Sequence, residues 1–169
     1  MIRHENLRIP ESDVLIHSGD IGTRTDLQEL DRFLNWFDRQ PATHKVWIAG
    51  NHDLCLDARF MRENPSGLKL GGISVFREAM EMVKQYNAHY LMNNDCTIEG
   101  LRFFGAPWSP SFQRHRWAFN QDPGAEIQKQ WSRIPSDTDV LITHSPPFGC
   151  LDQVAPSHFE VSLESQHVG

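Results

Sequence analysis

Three short apolar runs, each handing over to a side chain able to bind a cation, constrain this chain more than anything else in it. Val14-Leu15-Ile16-His17 leads into Ser18-Gly19-Asp20, and Lys45-Val46-Trp47-Ile48-Ala49 leads into Gly50-Asn51-His52-Asp53. Val140-Leu141-Ile142-Thr143 leads into His144-Ser145-Pro146-Pro147. Short Val- and Ile-rich runs bounded by Gly or Pro read as buried strands, which places strands at 13–17, 45–49 and 139–143. After the first, Thr25 with Gln28 three residues later predicts a capping box, with Asp26 in the first turn. Leu27, Leu30, Phe33, Leu34 and Phe37 recur at helical spacing, so a helix is expected over 26–38, closed by Pro41. Strand, helix and parallel strand make the crossover unit of an α/β sheet.

The remaining pattern is coarser. A helix is expected over 74–86, and strand-like runs at 89–92, 96–99 and 101–105, punctuated by Asn93-Asn94 and Glu99-Gly100, read as antiparallel strands in a hairpin. Residues 107–123 read as a long functional loop. A helix at 124–133 then precedes the last strand and makes a second crossover.

In open α/β sheets, ligands bind in the crevice beyond the carboxyl ends of the strands. Asp20, Asn51 and His144 are expected there. A carboxylate, an amide oxygen and an imidazole are a mixed donor set for Mn, Fe, Zn or Mg. A carboxylate can bridge two cations, so Asp20 is a candidate shared ligand. His52 stands next to a ligand and is a candidate to protonate a leaving oxygen, with Asp53 to orient it. Gly19 and Gly50 fit turns in which backbone passes close to metal or substrate.

With 169 residues, 39% of them apolar, the chain has enough material for one domain with a buried core. A net charge of -6 disfavours a nucleic-acid duplex or an anionic membrane as partner. A small phosphate ester remains possible, because a bound cation reverses the local sign. No apolar run approaches the roughly 20 residues that span a bilayer, and no signal peptide stands at Met1, so a cytoplasmic protein is expected. Cys55, Cys96 and Cys150 are odd in number and unpaired in spacing, which reads as inert buried thiols. Neither G-x-G-x-x-G nor G-x-x-x-x-G-K-[ST] occurs, which removes a dinucleotide or ATP loop.

The other candidates have ordinary readings. His17 is expected in the core or behind a ligand, and His4, His44, His89, His158 and His167 in packing or solvated roles. Arg114-His115-Arg116 reads as a solvated loop, with contact to a substrate phosphate as the alternative. Trp108, Trp117 and Phe119 either stack on a nucleobase or plug their loop onto the core.

Gly19-Asp20, Gly50-Asn51-His52-Asp53 and Thr143-His144, in that order and each behind its strand, resemble the calcineurin-like metallophosphoesterase superfamily. Gly105-Ala106-Pro107-Trp108, Trp117-Ala118-Phe119-Asn120 and Thr143-His144-Ser145-Pro146-Pro147 look closer to its metallophosphoesterase-domain-containing branch, related to fetal-brain protein 239. The resemblance implies a layered α/β/β/α sandwich, two divalent metal ions and hydrolysis of phosphodiesters, cyclic nucleotides among them, or of phosphomonoesters. It implies that Asp20 bridges both metals, that Asn51 and His144 bind the second, and that His52 is the acid or the phosphate contact. The superfamily's D-x-H and G-H-x-H elements are not found around these motifs. The expectation is therefore a single domain over 1–169, shortened at both ends, with at most one well-liganded metal position and impaired hydrolysis. The rival expectation is an inactive interaction or regulatory protein that keeps the fold.

Overall fold

The computed structural model describes residues 4–64, 71–111, 117–147, 149–150 and 152. Arg114-His115-Arg116, His158 and His167 lie outside them. Strand β1 (Ser12–His17) runs through helix α1 (Leu27–Asp38) to β2 (Ala42–Trp47), and β1 and β2 pair in parallel, Ile16 opposite Val46. This is the expected crossover, with β2 beginning three residues earlier and ending two earlier than its apolar run. Ile48 and Ala49 continue the path, Ile48 N–H donating to the His17 carbonyl at 3.0 Å.

Helix α1 is capped by Asp26, whose carboxylate accepts from Glu29 N–H at 2.8 Å. The expected Thr25–Gln28 capping box does not form, because the Thr25 hydroxyl is committed to Asp53. The α1 stripe Leu30, Phe33, Leu34 and Phe37 is buried, as its i, i+3, i+4, i+7 spacing requires. It packs with Trp47, with Phe60 and Met61 of helix α2 (Ala58–Glu63), and with Ala79 and Val83 of helix α3 (Ile73–Val83). Helix α2 had no sequence signal beyond Asp57, whose side chain caps it by accepting from Arg59 and Phe60 N–H.

Strand β3 (His89–Tyr90) corrects the hairpin expected for 89–105. It pairs in parallel with β2, giving the first sheet the order β1-β2-β3. Only β4 (Asn94–Ile98) and β5 (Leu101–Ala106) form the antiparallel hairpin. Its two-residue turn has both residues left-handed, Glu99 at φ 49° and Gly100 at φ 82°, which matches the twist of the strands. Beyond it, β6 (Ser109–Pro110) and β7 (Asn120–Gln121) pair in parallel, so the stretch expected as a loop is tied at both ends. Helix α4 (Ala125–Trp131) then leads to β8 (Val140–Thr143), parallel to β5, and the second sheet has the order β4-β5-β8.

The layers follow from strand alternation. Leu15 and Trp47 face the helices, while Val14, Val46 and Ile48 face Leu91, Ile98, Phe103 and Ile142 between the two sheets. The result is the α/β/β/α arrangement. No described helix is long and apolar enough to cross a membrane. Of the cysteines, Cys55 is buried, with its thiol pushed well above its usual range by burial, whereas Cys150 is exposed, against expectation.

Gly105 lies where the sheets approach closely: a Cβ there would collide with the Leu91 side chain and with Ile48 Cγ2 and press on the Leu91 carbonyl. Gly105→Ala is therefore expected to destabilise by about 1–3 kcal/mol, read as a lower urea midpoint at unchanged slope. A neutral effect would mean that the sheets can move apart freely.

Candidate metal centre

Three chain turns meet beyond the carboxyl ends of β1, β2 and β8. Their meeting is organised by Asp53, a fully buried carboxylate. Oδ2 accepts from Gly50 N–H at 2.7 Å and Asp20 N–H at 2.9 Å. Oδ1 accepts from Ile21 N–H at 3.0 Å and the Thr25 hydroxyl at 2.7 Å. Every partner is a donor, which is the arrangement an ionised carboxylate needs. Burial pushes its pKa up to about 6, while Thr25 and Gly50 donate to the charged form and pull it back.

This network holds the candidate metal-binding groups. Asp20 has a left-handed backbone, φ 61°, uncommon outside glycine, and its N–H is pinned by Asp53. Gly19 is left-handed at φ 97°, and a Cβ there would lie 2.5 Å from Gly50 N. A Cβ on Gly50 would strike the Asp20 carboxylate and the His144 ring. Two glycines thus allow the β1 and β2 turns to touch.

The predicted ligands come together. His144 Nδ1 lies 2.8 Å from the Ser18 carbonyl, and a carbonyl only accepts, so Nδ1 carries the proton. Its Nε2 points at Asn51 Oδ1, 2.9 Å away, and Asp20 Oδ1, 3.4 Å away. Asn51 Oδ1 and Asp20 Oδ1 both lie close to Nε2, and if Nε2 is unprotonated a cation among the three would relieve the repulsion of their lone pairs. Separations of about 3 Å are those of neighbouring ligands around an ion bound at about 2.0–2.2 Å. The donor set fits one divalent ion, with other ligands completing it. Among the described residues no group of three or more His, Cys, Asp or Glu side chains gathers. Asn51 is what makes the third donor here.

His52 is placed differently from expectation. Asp53 does not orient it. Instead His52 Nδ1 donates to the Thr23 carbonyl at 2.5 Å, and its ring lies 4.2 Å from that of Trp117. Its N–H donates to Asp20 Oδ1 at 3.0 Å. The Arg24 guanidinium sits 5.3 Å over the Trp117 ring, a cation–π contact. Ala118 N–H donates to the Asn51 carbonyl, and Phe119 N–H donates to Asp57 Oδ2 at 2.7 Å. Of the three aromatic candidates, Phe119 is plugged into the core, Trp108 is tied by its indole N–H to Asn93, and Trp117 flanks His52.

Thr23, Thr25 and Ser18 were not singled out by sequence for these roles. Thr25 carried a signal, but one equally suited to a helix cap. His17 is half-buried, with its ring 4.9 Å from Phe33 and Nδ1 accepting from Gly19 N–H at 3.2 Å. Burial first, then His4, push its pKa down to about 4.

Two outcomes follow. In Asp53→Asn an amide N–H₂ replaces one acceptor and faces backbone donors, so stability falls by roughly 2–4 kcal/mol and affinity for Mn²⁺ falls with it. Unchanged stability in urea would show that the carboxylate is not the tie. For His17, the unfolded ring protonates near its usual 6.5 and the folded ring only near 4. Its contribution is constant above about pH 7 and turns destabilising as pH falls through that window, by roughly 2–3 kcal/mol. Asp53, raised from 3.8 to about 6, runs the other way between those values. The quantity to measure is therefore the difference between wild type and His17→Gln, which should move in favour of the variant on acidification.

Comparison with known proteins agrees with this geometry. Metallophosphoesterase domain-containing protein 1 of Homo sapiens is 36% identical over 162 residues, covering 90% of this chain and 48% of that protein. The Mus musculus protein of the same name matches to the same extent. UPF0046 protein C25E10.12 of Caenorhabditis elegans is 37% identical over 153 residues, covering 86% of this chain and 52% of that protein. The chain thus spans about half the length of these relatives. Residues 2–168 match the calcineurin-like phosphoesterase family. With the strand-end motifs, the layered fold and near-complete coverage in agreement, the chain belongs to the calcineurin-like phosphoesterase family.

Proposed function

We propose that this chain is a metal-dependent hydrolase of small phosphate esters, with phosphodiesters, cyclic nucleotides among them, and phosphomonoesters as candidate substrates. The single observation that carries the reading is that Asn51 Oδ1 and Asp20 Oδ1 both lie within 3.4 Å of His144 Nε2. Family membership supports it. Asp20, Asn51 and His144 would hold one divalent ion of the Mn, Fe, Zn or Mg type, and Asp20 would bridge to a second in the full family site. When bound, such ions neutralise phosphate oxygens and acidify water.

The chain's own residues supply the rest. With Nδ1 held by the Thr23 carbonyl, His52 presents Nε2 as its free end, suited, as the imidazolium with a proton on each nitrogen, to donating the Nε2 proton to the departing oxygen or contacting the phosphate. Trp117 against one side of the ring limits its rotation. Asp53 keeps Asp20 and the Gly50 turn at fixed separation and does not itself reach the reacting atoms.

Calorimetric titration with MnCl₂ and hydrolysis of bis-p-nitrophenyl phosphate test the reading together. One bound ion per chain is expected, lost in His144→Ala and Asp20→Asn. His52→Ala should keep the ion and lose roughly 10²–10⁴-fold in turnover. Metal binding without any turnover would instead favour a fold retained for interaction or regulation.

A further inference from the structure

Arg24 stands at the working end of the chain, and the hydrolytic scheme gives it no task. Its backbone is fixed from both sides by the turn that carries His52. The Thr23 carbonyl accepts from the His52 ring, and Thr25 N–H donates to the His52 carbonyl at 2.9 Å. The Thr25 hydroxyl is tied to Asp53 as well. The Arg24 side chain is exposed, yet it starts from a set place beside His52.

Its far end is placed by Trp117. The guanidinium lies 5.3 Å from the centre of the same indole ring that the His52 ring approaches at 4.2 Å. Trp117 is anchored in turn, because Ala118 N–H donates at 3.1 Å to the carbonyl of the candidate ligand Asn51. Every step from Arg24 to the candidate metal position is therefore a contact: Arg24 on Trp117, Trp117 on His52, and His52 N–H on Asp20 Oδ1 at 3.0 Å. The guanidinium and the His52 ring lie no farther apart than the two ring distances laid end to end.

The carboxylates nearest in sequence have other work. Asp26 caps α1 through Glu29 N–H, and Asp20 Oδ1 accepts from His52 N–H. A guanidinium over an aromatic face keeps its N–H donors, and their planar fork matches a carboxylate or a phosphate. In a chain of net charge -6 this cation is a local feature and not part of a generally basic surface. His52 is the candidate to protonate the departing oxygen, so the departing group and Arg24 share one side of the site.

We propose that Arg24 selects phosphate esters whose departing alcohol carries a second anionic group, received by the guanidinium while the ester phosphate lies at Asp20, Asn51 and His144. The ester end of the proposal rests on the phosphoesterase reading above; the second-anion end does not.

Two measurements separate them. In a ¹H–¹⁵N spectrum of the full chain without added metal, 4-hydroxybenzoate supplies the second anion and no phosphate. It should shift the Arg24 Nε–H and Trp117 indole N–H signals saturably, and its uncharged methyl ester should not. Arg24→Gln should abolish the Trp117 shift. No shift in the wild type, an equal shift with the methyl ester, or a shift that survives Arg24→Gln overturns the proposal. The second measurement, with MnCl₂, compares hydrolysis of the methyl phosphodiesters of 4-hydroxybenzoate and of its methyl ester. The ratio of their KM values, charged over neutral, should rise about three- to tenfold in Arg24→Gln and further in Arg24→Glu. An equal rise in both KM values would mean that Arg24 meets the ester phosphate or only packs on Trp117, and overturns the proposal. Shifts in a protein that hydrolyses neither ester support the anion site and count against the phosphoesterase reading.

Discussion

A buried carboxylate with four donors around it holds this molecule's working end together. Asp53 ties the β1 turn, through Asp20 and Ile21, to the β2 turn, through Gly50, and to the start of α1, through Thr25. Burying a charge is costly unless it is matched by hydrogen bonds, and here both oxygens are matched. The reward is geometric. Asp20 is held in a left-handed conformation that an unconstrained chain visits seldom, with its carboxylate turned toward Asn51 and His144. Thr25 adds two backbone ties, its N–H to the His52 carbonyl and its carbonyl to Cys55 N–H. The loops that bear Asp20 and Asn51 are thus fastened to a carboxylate that no solvent reaches.

Around that tie, packing and polarity divide the labour. Helices α1 and α3 cover the outer face of the first sheet, and the two sheets bury Val46, Ile48, Leu91 and Phe103 between them. The turns that bear Asp20, Asn51 and His144 extend from the carboxyl ends of β1, β2 and β8. Residues 117–121 close over the same end. Their anchors are Asp57, which caps α2 and accepts from Phe119 N–H, and Arg59, which donates to the Asn120 carbonyl at 2.6 Å. Phe119 is fully buried at φ 53°, a conformation a bulky residue keeps only when its surroundings demand it. That constraint delivers Trp117 to the side of His52.

Much of this was legible in advance, and the reasons differ by residue. The α1 stripe was readable because burial on one face imposes a 3.6-residue period that no other demand disturbs. Asp20, Asn51 and His144 were readable because each follows a strand, and strand ends in an α/β sheet converge. The misreadings share one cause: local signals with two meanings. Thr25 followed by Gln28 looks like a cap whether or not the hydroxyl is needed elsewhere, and a distant Asp53 decided the matter. His89–Tyr90 looks like any short strand, and its parallel partner lies some forty residues back in β2. Asp53 beside His52 suggested a neighbour's support, yet the carboxylate turns inward to donors from other segments, while Thr23 holds the imidazole.

The sequence by itself determined the candidate ligand types, the order of the strands that carry them and the family to which the chain belongs. Periodicity and strand-end chemistry are local properties, written in consecutive residues. Only the tertiary structure decided which lone pairs meet, which tautomer His144 adopts and what keeps Asp20 in place. Those depend on distances of about 3 Å between residues as far apart as Ser18 and His144. Such distances are set by the packing of two sheets against each other. At Gly105, and at the touching pair Gly19 and Gly50, only the missing side chain allows so close an approach.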